Sequence, residues 1–482
     1  MKIFMFFRIL FFLLGILALI MLPSLMMALA FKESAMIRAF VLPMILALAA
    51  AIPALFSRKK TPLRFSARNG FFLVTLTWFL ISLMGAIPYY LAGTGLSFTN
   101  AFFESTCGFA TTGGTTISDI EALPRSLLFW RAMTHWFGGM GIILLTVALM
   151  PLFGVGGFQL IKAETPGPEK EKITPKITAT AKILWLVYGG LTAALIGLYL
   201  LGGMNWFDAL CHAFVVIASG GVSTKNAGMR FYNSGFIDGI TTVFMLLAGI
   251  NFNLYYRLIR GKIREVGCNS EFRAYIIIFI SAAGIIALTL VPVYGSVGSA
   301  LRYAAYQAAS ILSTTGSAIT DYETWPALAR TILFGLMFIG GCSSSTAGGI
   351  KVVRLLVLFK QAGNELRRII SPRGIFSVRL NRKVGRKDVV YGVAGFIFLY
   401  MMVVTIVTLI TAASGTDIFS SFCAALAVTG NVGIGFGAIG PSANYGAFPD
   451  YIKWLFSFVM IAGRLELWTV IILFSPEYWR SL

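Results

Sequence analysis

The sequence is poor in the residues from which most enzymes and metal proteins are built. It has two histidines and five cysteines in 482 residues. The cysteines (Cys107, Cys211, Cys268, Cys342 and Cys423) show no Cys-x-x-Cys spacing, so neither a zinc module nor a disulfide framework is expected. Cys211 and Cys423 read as small packing residues. No nucleophile–base pair or metal constellation emerges, so the chain is not expected to be an enzyme. Its paired glycines lie inside apolar runs and not at strand–turn–helix junctions, so no nucleotide is expected on this chain. Charge is scarce as well, with 12% charged residues against 57% hydrophobic ones and a mean hydropathy of +0.83. A soluble domain of this length could not bury so much apolar surface. Acids are scarcest: 19 Asp and Glu stand against 39 Lys and Arg, a net charge of +20. In a soluble protein that excess would suggest nucleic acid. Here it sits in a few short polar stretches between apolar ones, as the cytoplasmic loops of a membrane protein do, and no nucleic-acid partner is expected.

What the sequence has in abundance is apolar runs of about 20 residues, the length of a helix that spans a bilayer core. The first, residues 9–29, is too long for a signal peptide and lacks its small-residue cleavage site, so it reads as a retained helix. Basic residues form four clusters. The first is Arg58, Lys59, Lys60, Arg64 and Arg68; the second is Lys162, Lys170, Lys172, Lys176 and Lys182. The third is Arg257, Arg260, Lys262 and Arg264. The fourth comprises Lys360, Arg367, Arg368, Arg373, Arg379, Arg382, Lys383, Arg386 and Lys387. All four are assigned to the cytoplasm. The stretches near Asp119, Asp321 and Asp450 then lie outside. Two long apolar runs fall in each of 4–57, 71–152, 181–258, 272–360 and 388–475. That parity gives about ten crossings and places both termini in the cytoplasm.

Between the two runs of each of the last four units lies a shorter apolar segment ending in Gly, Thr and Ser. Aligned on Gly113, Gly221, Gly316 and Gly433, these segments share a small residue twelve positions upstream (Ala101, Ala209, Ala304 and Ser421). Nine positions upstream stand Glu104, His212, Gln307 and Ala424. Four recurrences with the same neighbours and the same place in the topology mark an internal repeat. The expected fold is an all-α integral membrane protein: four parallel helix–re-entrant pore loop–helix repeats around one pore, plus two N-terminal transmembrane helices. The units are 1–60 for the N-terminal pair, then 61–160, 161–262, 263–370 and 371–482 for the pore repeats. Non-helical backbone at membrane depth is tolerated only where it is buried in protein or lines a water-filled cavity. Four such stretches would line the cavity with carbonyl rings that replace a cation's water shell. Parallel repeats point to a channel-like pore, whereas many carriers use inverted ones.

These motifs resemble the Trk/Ktr/HKT superfamily of potassium transporters, and within it the bacterial TrkH/TrkG membrane-subunit family. The resemblance covers nearly the whole chain. It includes the four glycine stretches, the segment Gly-Gly-Cys-Ser-Ser-Ser-Thr-Ala-Gly-Gly-Ile-Lys at 340–351, and Gly463, Arg464 and Glu466 near the end. The two extra N-terminal spans favour the TrkH type over the shorter KtrB type. The resemblance implies potassium as the transported ion and a selectivity filter formed by Thr111, Thr112 and Gly113; Ser219, Gly220 and Gly221; Thr314, Thr315 and Gly316; and Asn431, Val432 and Gly433. Gly113 favours potassium, because in sodium-preferring members a serine can replace it. Asn431 departs from the Thr-like pattern. The adjacent Gly220 and Gly221 leave the register of the second stretch open, and Gly221 is preferred because Val222 follows it. The resemblance further implies uptake across the bacterial inner membrane, a homodimer, and a separate cytoplasmic nucleotide-binding ring of the TrkA type.

Three features keep two readings each. Gly340, Gly341, Ser343, Ser344, Ser345, Thr346, Gly348 and Gly349 interrupt the second span of the third repeat, which is poor helix chemistry. They form either an intramembrane gate beneath the filter, as the family implies, or a close helix crossing built from small residues. Arg464 lies inside the apolar run 451–474. It either faces the pore as a positive barrier or serves as packing glue with a nearby acid; the two-residue spacing to Glu466 disfavours an intrahelical pair. Glu104, His212 and Gln307 either hold the filter's shape through its backbone or are simply satisfied buried groups. Asp208 is read as the cap of the second short helix. A carrier coupling potassium to protons or sodium competes with the conduit, with Glu104, His212 and Glu466 as its candidate titratable sites.

Overall fold

Apolar helices make up nearly all the regular structure. The computed structural model describes residues 2–56, 67–153, 177–381, 383–384 and 387–480. Arg58, Lys59, Lys60, Arg64, Lys162, Lys170, Lys172, Lys176, Arg382 and Arg386, on which part of the topology rests, lie outside the described residues.

α1 (Lys2–Ala30) and α2 (Ser34–Phe56) form a hairpin that packs on the first repeat. That repeat contains α3 (Ala67–Leu91), the short α4 (Phe98–Ala110) and α5 (Arg125–Phe153). The second contains α6 (Ile177–Leu201), the short α7 (Trp206–Ile217), and α8 (Gly235–Ala248) followed by α9 (Phe252–Ile259). A one-turn α10 (Ile263–Gly267) leads to the third repeat: α11 (Ser270–Tyr294), the short α12 (Val297–Leu312), then α13 (Ala327–Leu336) and α14 (Val352–Ile370). A two-residue antiparallel ribbon, β1 (Arg379–Leu380) with β2 (Lys383–Val384), precedes the fourth. It holds α15 (Lys387–Ala412), the short α16 (Ile418–Thr429), then α17 (Asp450–Arg464) and α18 (Leu467–Ile471), with α19 (Pro476–Arg480) closing the described chain.

Among the described residues six helices are long and apolar enough to cross a bilayer alone, and two bent pairs add further crossings. That gives up to eight of the ten crossings expected; α5, of 29 residues, and the interrupted pair α13–α14 occupy the places of the remaining two in the sequence. The bends correct the picture of straight second spans. The chain turns by 96° between α8 and α9 and by 114° between α17 and α18, so the run 451–474 is not one helix.

The short helices α4, α7, α12 and α16 have 13, 12, 16 and 12 residues, too few to span a bilayer core. Three carry a side-chain cap: Ser97 accepts from the Asn100 amide, Asn205 from Asp208, and Asp417 from Ser420. The second cap is therefore Asn205 and not Asp208. Asp208 sits in the first turn, where it accepts from Asn205 Nδ2 at 2.7 Å and Thr224 Oγ1 at 2.6 Å.

Small residues let the helices nest closely. A Cβ at Gly138 of α5 would lie 2.2 Å from the Phe109 carbonyl oxygen of α4, and one at Gly108 would meet Thr134 Oγ1 at 2.1 Å. The N-terminal hairpin is tied on through its turn. The Glu33 carboxylate accepts from the backbone amides of Arg125 (2.8 Å) and Ser126 (3.2 Å) and from the Ser126 hydroxyl, capping α5 from another unit. Glu33→Ala is expected to cost about 1 kcal/mol, the usual worth of a lost helix cap. Thermal unfolding in detergent checks it, and an unchanged transition would remove Glu33 from the docking of the hairpin.

Candidate functional site

Each short helix ends in the same backbone signature. Thr111, Ser219, Thr314 and Asn431 all adopt left-handed φ values, between 52° and 57°. In every stretch this residue's amide donates to the carbonyl three residues back, and the next amide donates to the carbonyl five back. The pairs are Thr111–Gly108 and Thr112–Cys107; Ser219–Val216 and Gly220–Val215; Thr314–Ile311 and Thr315–Ser310; and Asn431–Val428 and Val432–Ala427. A left-handed non-glycine residue costs on the order of 1–3 kcal/mol, and such strain clusters at functional sites. Two residues further on, Gly221, Gly316 and Gly433 have φ of 69°, 70° and 87°. The register in the second stretch thus runs through Ser219 and Gly221, matching Thr314 and Gly316. Asn431, the departure in sequence, has the same backbone geometry as the other three.

The four stretches meet. A Cβ at Gly221 would lie 2.0 Å from the Thr315 carbonyl oxygen, one at Gly316 would lie 1.9 Å from that of Val432, and one at Gly433 would lie 2.3 Å from the Gly113 nitrogen. Repeats two, three, four and one therefore follow one another around a common centre. The glycines are required there because any side chain would strike the neighbouring strand. Above them opens a bowl of about 580 Å³ floored by Gly113, Gly221, Gly316 and Gly433 and walled by the loops that follow. Its rim is clasped between repeats one and two. Asn226 donates to Asp119 Oδ1 at 2.8 Å and accepts from the Ile120 amide at 2.6 Å. The bond from Asn226 holds the Asp119 carboxyl below the usual carboxylate range.

Glu104, His212 and Gln307 stand behind the stretches. Glu104 Oε1 accepts from the Thr116 amide at 2.5 Å and from Thr115 Oγ1 at 2.8 Å, fixing the chain beyond Gly113. His212 Nε2 pairs with Ser223 Oγ at 2.8 Å, and its Nδ1 with the Asp208 carbonyl at 2.8 Å. Gln307 Oε1 accepts from the Ile319 amide at 3.4 Å. All three are buried and face the backbone or side chains just past the glycines.

Beneath the four stretches lies the interrupted segment between α13 and α14. Thr346 Oγ1 pairs with Ser219 Oγ at 2.9 Å, and the Gly348 amide donates to Thr314 Oγ1 at 2.7 Å. A Cβ at Gly348 would lie 2.4 Å from the Gly430 carbonyl oxygen. The segment is anchored on its other side as well. Cys342 N donates to the Gly249 carbonyl at 2.8 Å, and Glu271 Oε1 accepts from the Ser343 amide at 2.6 Å and its hydroxyl at 3.0 Å. Ser344 and Gly349 take left-handed φ, Gly341 packs against Ala347, and Ser345 Oγ donates to the Cys342 carbonyl. Gly340 admits no side chain, since a Cβ there would sit 2.1 Å from the Gly348 carbonyl oxygen.

Arg464 ends α17 directly below. Nη1 donates to the Thr346 carbonyl at 2.6 Å, and Nη2 to those of Gly138 and Gly139 at 2.8 and 2.9 Å. It thereby joins repeat four to the segment of repeat three and to α5 of repeat one. Glu466, just past the bend, pairs with Arg354 of α14 at 2.7 Å and not with Arg464.

Sequence reasoning missed four charged residues of this region. Arg131 is buried behind the first stretch. It pairs with Glu104 at 3.2 Å and donates to the Ser223 carbonyl of repeat two at 3.2 Å. The signal was there: an arginine inside an apolar run, the same mark that singled out Arg464. Glu271, Lys351 and Arg354 sit at the ends of apolar runs, where charge is ordinary, and nothing in the pattern set them apart.

The comparisons bear on this geometry. Residues 36–481 match the family model TrkH, described as a cation transport protein. The Trk system potassium uptake protein TrkH of Escherichia coli (strain K12) is 37% identical over 461 residues, 95% of each chain. The TrkH of Halomonas elongata is 35% identical over 480 residues, 98% of each. The crystal structure of the potassium transporter TrkH from Vibrio parahaemolyticus superposes with a TM-score of 0.89 at 34% identity, covering 100% of both chains.

The Arg131–Glu104 pair is fully enclosed, so removing one partner strands the other charge. Arg131→Met is expected to cost about 3–5 kcal/mol, and the double variant with Glu104→Gln less than that. Thermal unfolding of the three proteins decides it; a double variant no more stable than the single one would show that the two groups are not coupled.

Proposed function

The chain belongs to the TrkH family of cation transport proteins, and from that premise we propose that it takes up potassium through a single selective, gated pore built from its four repeats. It is a multi-pass membrane protein of a transport family, and potassium is its cargo. The observation that carries the pore reading is the convergence on one centre of four stretches that each leave a short helix through a left-handed residue, with a hydrogen-bonded segment beneath them. In this reading Thr111, Thr112, Gly113, Ser219, Gly220, Gly221, Thr314, Thr315, Gly316, Asn431, Val432 and Gly433 form the filter. Their backbone carbonyls supply the oxygens that stand in for a potassium ion's lost water. Glu104, His212 and Gln307 hold those carbonyls in place from behind.

Residues 340–349 form the gate in its shut position, and Arg464 locks it by gripping the Thr346 carbonyl. The alternative of a helix crossing built from small residues is less well supported, because the segment's Thr346 hydroxyl and Gly348 amide reach the base of two filter stretches. A coupled carrier would need a free titratable group at mid-membrane. Its candidates are already engaged: Glu104 with Arg131, Glu466 with Arg354, and His212 with Ser223 and Asp208. The unit boundaries given above, an inner-membrane location with both termini cytoplasmic, a homodimer, and a TrkA-type nucleotide-binding ring docked on the basic cytoplasmic loops complete the proposal.

Rubidium and sodium tracer uptake into liposomes holding only the purified chain tests it, with a potassium gradient and no proton gradient. Rubidium uptake that excludes sodium is expected; uptake that appears only with an imposed proton or sodium gradient would transfer the case to the carrier. Gly113→Ser is expected to raise sodium permeability relative to potassium. A Cβ there would crowd the carbonyl oxygens of Thr315 and Val432 at 3.0 Å and that of Gly316 at 3.1 Å. Deleting residues 343–347 is expected to raise basal flux with selectivity unchanged.

A further inference from the structure

The segment beneath the filter is held by two cations, and only one of them has so far been given a role. Arg464 of repeat four donates to the Thr346 carbonyl at 2.6 Å, and Lys351 of repeat three donates through Nζ to the next carbonyl, that of Ala347. These two carbonyls flank the residues whose other groups touch the filter base, Thr346 Oγ1 on Ser219 and the Gly348 amide on Thr314. Lys351 is 5% exposed. It stands immediately before the first turn of α14, the end of a helix where the peptide dipole disfavours a cation. A lysine that only had to fill space would not be placed there.

Its nearest acids, Glu466 and Glu271, attract it without touching it, and each has other partners. Glu466 is engaged by Arg354 at 2.7 Å. Glu271 Oε1 accepts from the Ser343 amide and hydroxyl and from the Val353 amide at 3.3 Å, which caps α14 in place of the lysine. Among the described residues neither Lys351 Nζ nor the Arg464 guanidinium has a carboxylate within 4.0 Å. Two positive charges with no carboxylate in contact therefore sit on consecutive carbonyls, below the stretches read as the filter and in surroundings where charges are weakly screened.

We propose that Lys351 is a second charge barrier of the closed pore. Its ammonium, with Arg464, occupies carbonyls that a descending potassium ion would otherwise bind, and repels that ion besides. The closed segment thus excludes potassium by charge as well as by bulk. Because Lys351 leads directly into α14, any displacement of α14 that opens the pore withdraws the charge along with the segment. The inference rests on the reading of 340–349 as the gate.

The test is rubidium flux through the purified full chain in liposomes, comparing Lys351→Met, Lys351→Gln and Lys351→Arg with the 343–347 deletion. Met removes both charge and donor; Gln removes the charge and keeps a donor. Both are expected to raise basal rubidium flux about tenfold, the effect of lowering a barrier by 1.4 kcal/mol. The rubidium-to-sodium ratio stays constant, and Arg restores the low flux that Met loses. If Gln stays closed while Met opens, Lys351 is a hydrogen-bond donor only and the proposal fails. It fails equally if Arg leaks as Met does, or if no variant changes the flux. The deletion separates this failure from that of the parent reading: a deletion that conducts rubidium selectively while the Lys351 variants stay closed sinks the charge barrier alone. A deletion that conducts nothing sinks the gate reading and the proposal together.

Discussion

The whole architecture depends on one constraint: within a bilayer, a peptide group outside a helix has no water to bond. Among the described residues the four glycine stretches and residues 338–351 leave helical geometry between the apolar helices. Each can exist only because others surround it. The ends of the short helices absorb the amides of the glycine stretches; Glu104, Ser223 and Ser310 take up the groups beyond them. The segment below is bonded to Ala248, Gly249, Glu271, Ser219 and Thr314, which belong to the end of α8, to α11 and to two of the glycine stretches, in two repeats. The long helices provide the walls within which irregular backbone becomes affordable.

The same constraint explains where the charges are. A charge buried at this depth is expensive unless carbonyls or an opposite charge satisfy it. Arg131 is answered by Glu104, Arg354 by Glu466, and Arg464 by three carbonyls from two repeats. Each of these bonds crosses from one element to another. Arg464 and the bond from Arg131 to the Ser223 carbonyl join quarters of the molecule, as do apolar contacts such as Phe102 on Trp454. The sharp turns at Ile250 and Glu466 serve this arrangement. Glu466, at a φ of 62°, carries its carboxylate away from Arg464 and toward α14.

Much of this was legible in the sequence, for a physical reason. The bilayer imposes a fixed length on apolar runs, so spans can be counted, and the glycines recur because only they fit where strands crowd. In the second stretch, ambiguous at Gly220 and Gly221 in the sequence, it is Gly221 that shares the positive φ of Gly316 and Gly433. Other features could not be read. The bends between α8 and α9 and between α17 and α18 fall at short polar breaks, Gly249-Ile250-Asn251 and Gly463-Arg464-Leu465-Glu466, in otherwise apolar runs, and such a break alone does not tell a sharp turn from a straight span. Asp208 was taken for a cap because acidic residues favour helix starts, yet Asn205, three positions earlier, does that work. Lys351 and Glu271 look like ordinary flanking charges until the fold brings them under the glycines.

Arg464 occurs once in the assembly of four quarters because a single polypeptide supplies them all. A pore made from four copies of one shorter chain would have to place four arginines, and four interrupted helices, around the same axis. Four guanidiniums would not fit beneath one set of carbonyls, and their mutual repulsion would push the subunits apart. With one chain supplying all four quarters, each can differ: one carries the arginine, another the interrupted segment, and the other two supply the carbonyls and hydroxyl that hold them. The stoichiometry of one bar per doorway is a property of the gene's organisation before it is a property of the protein.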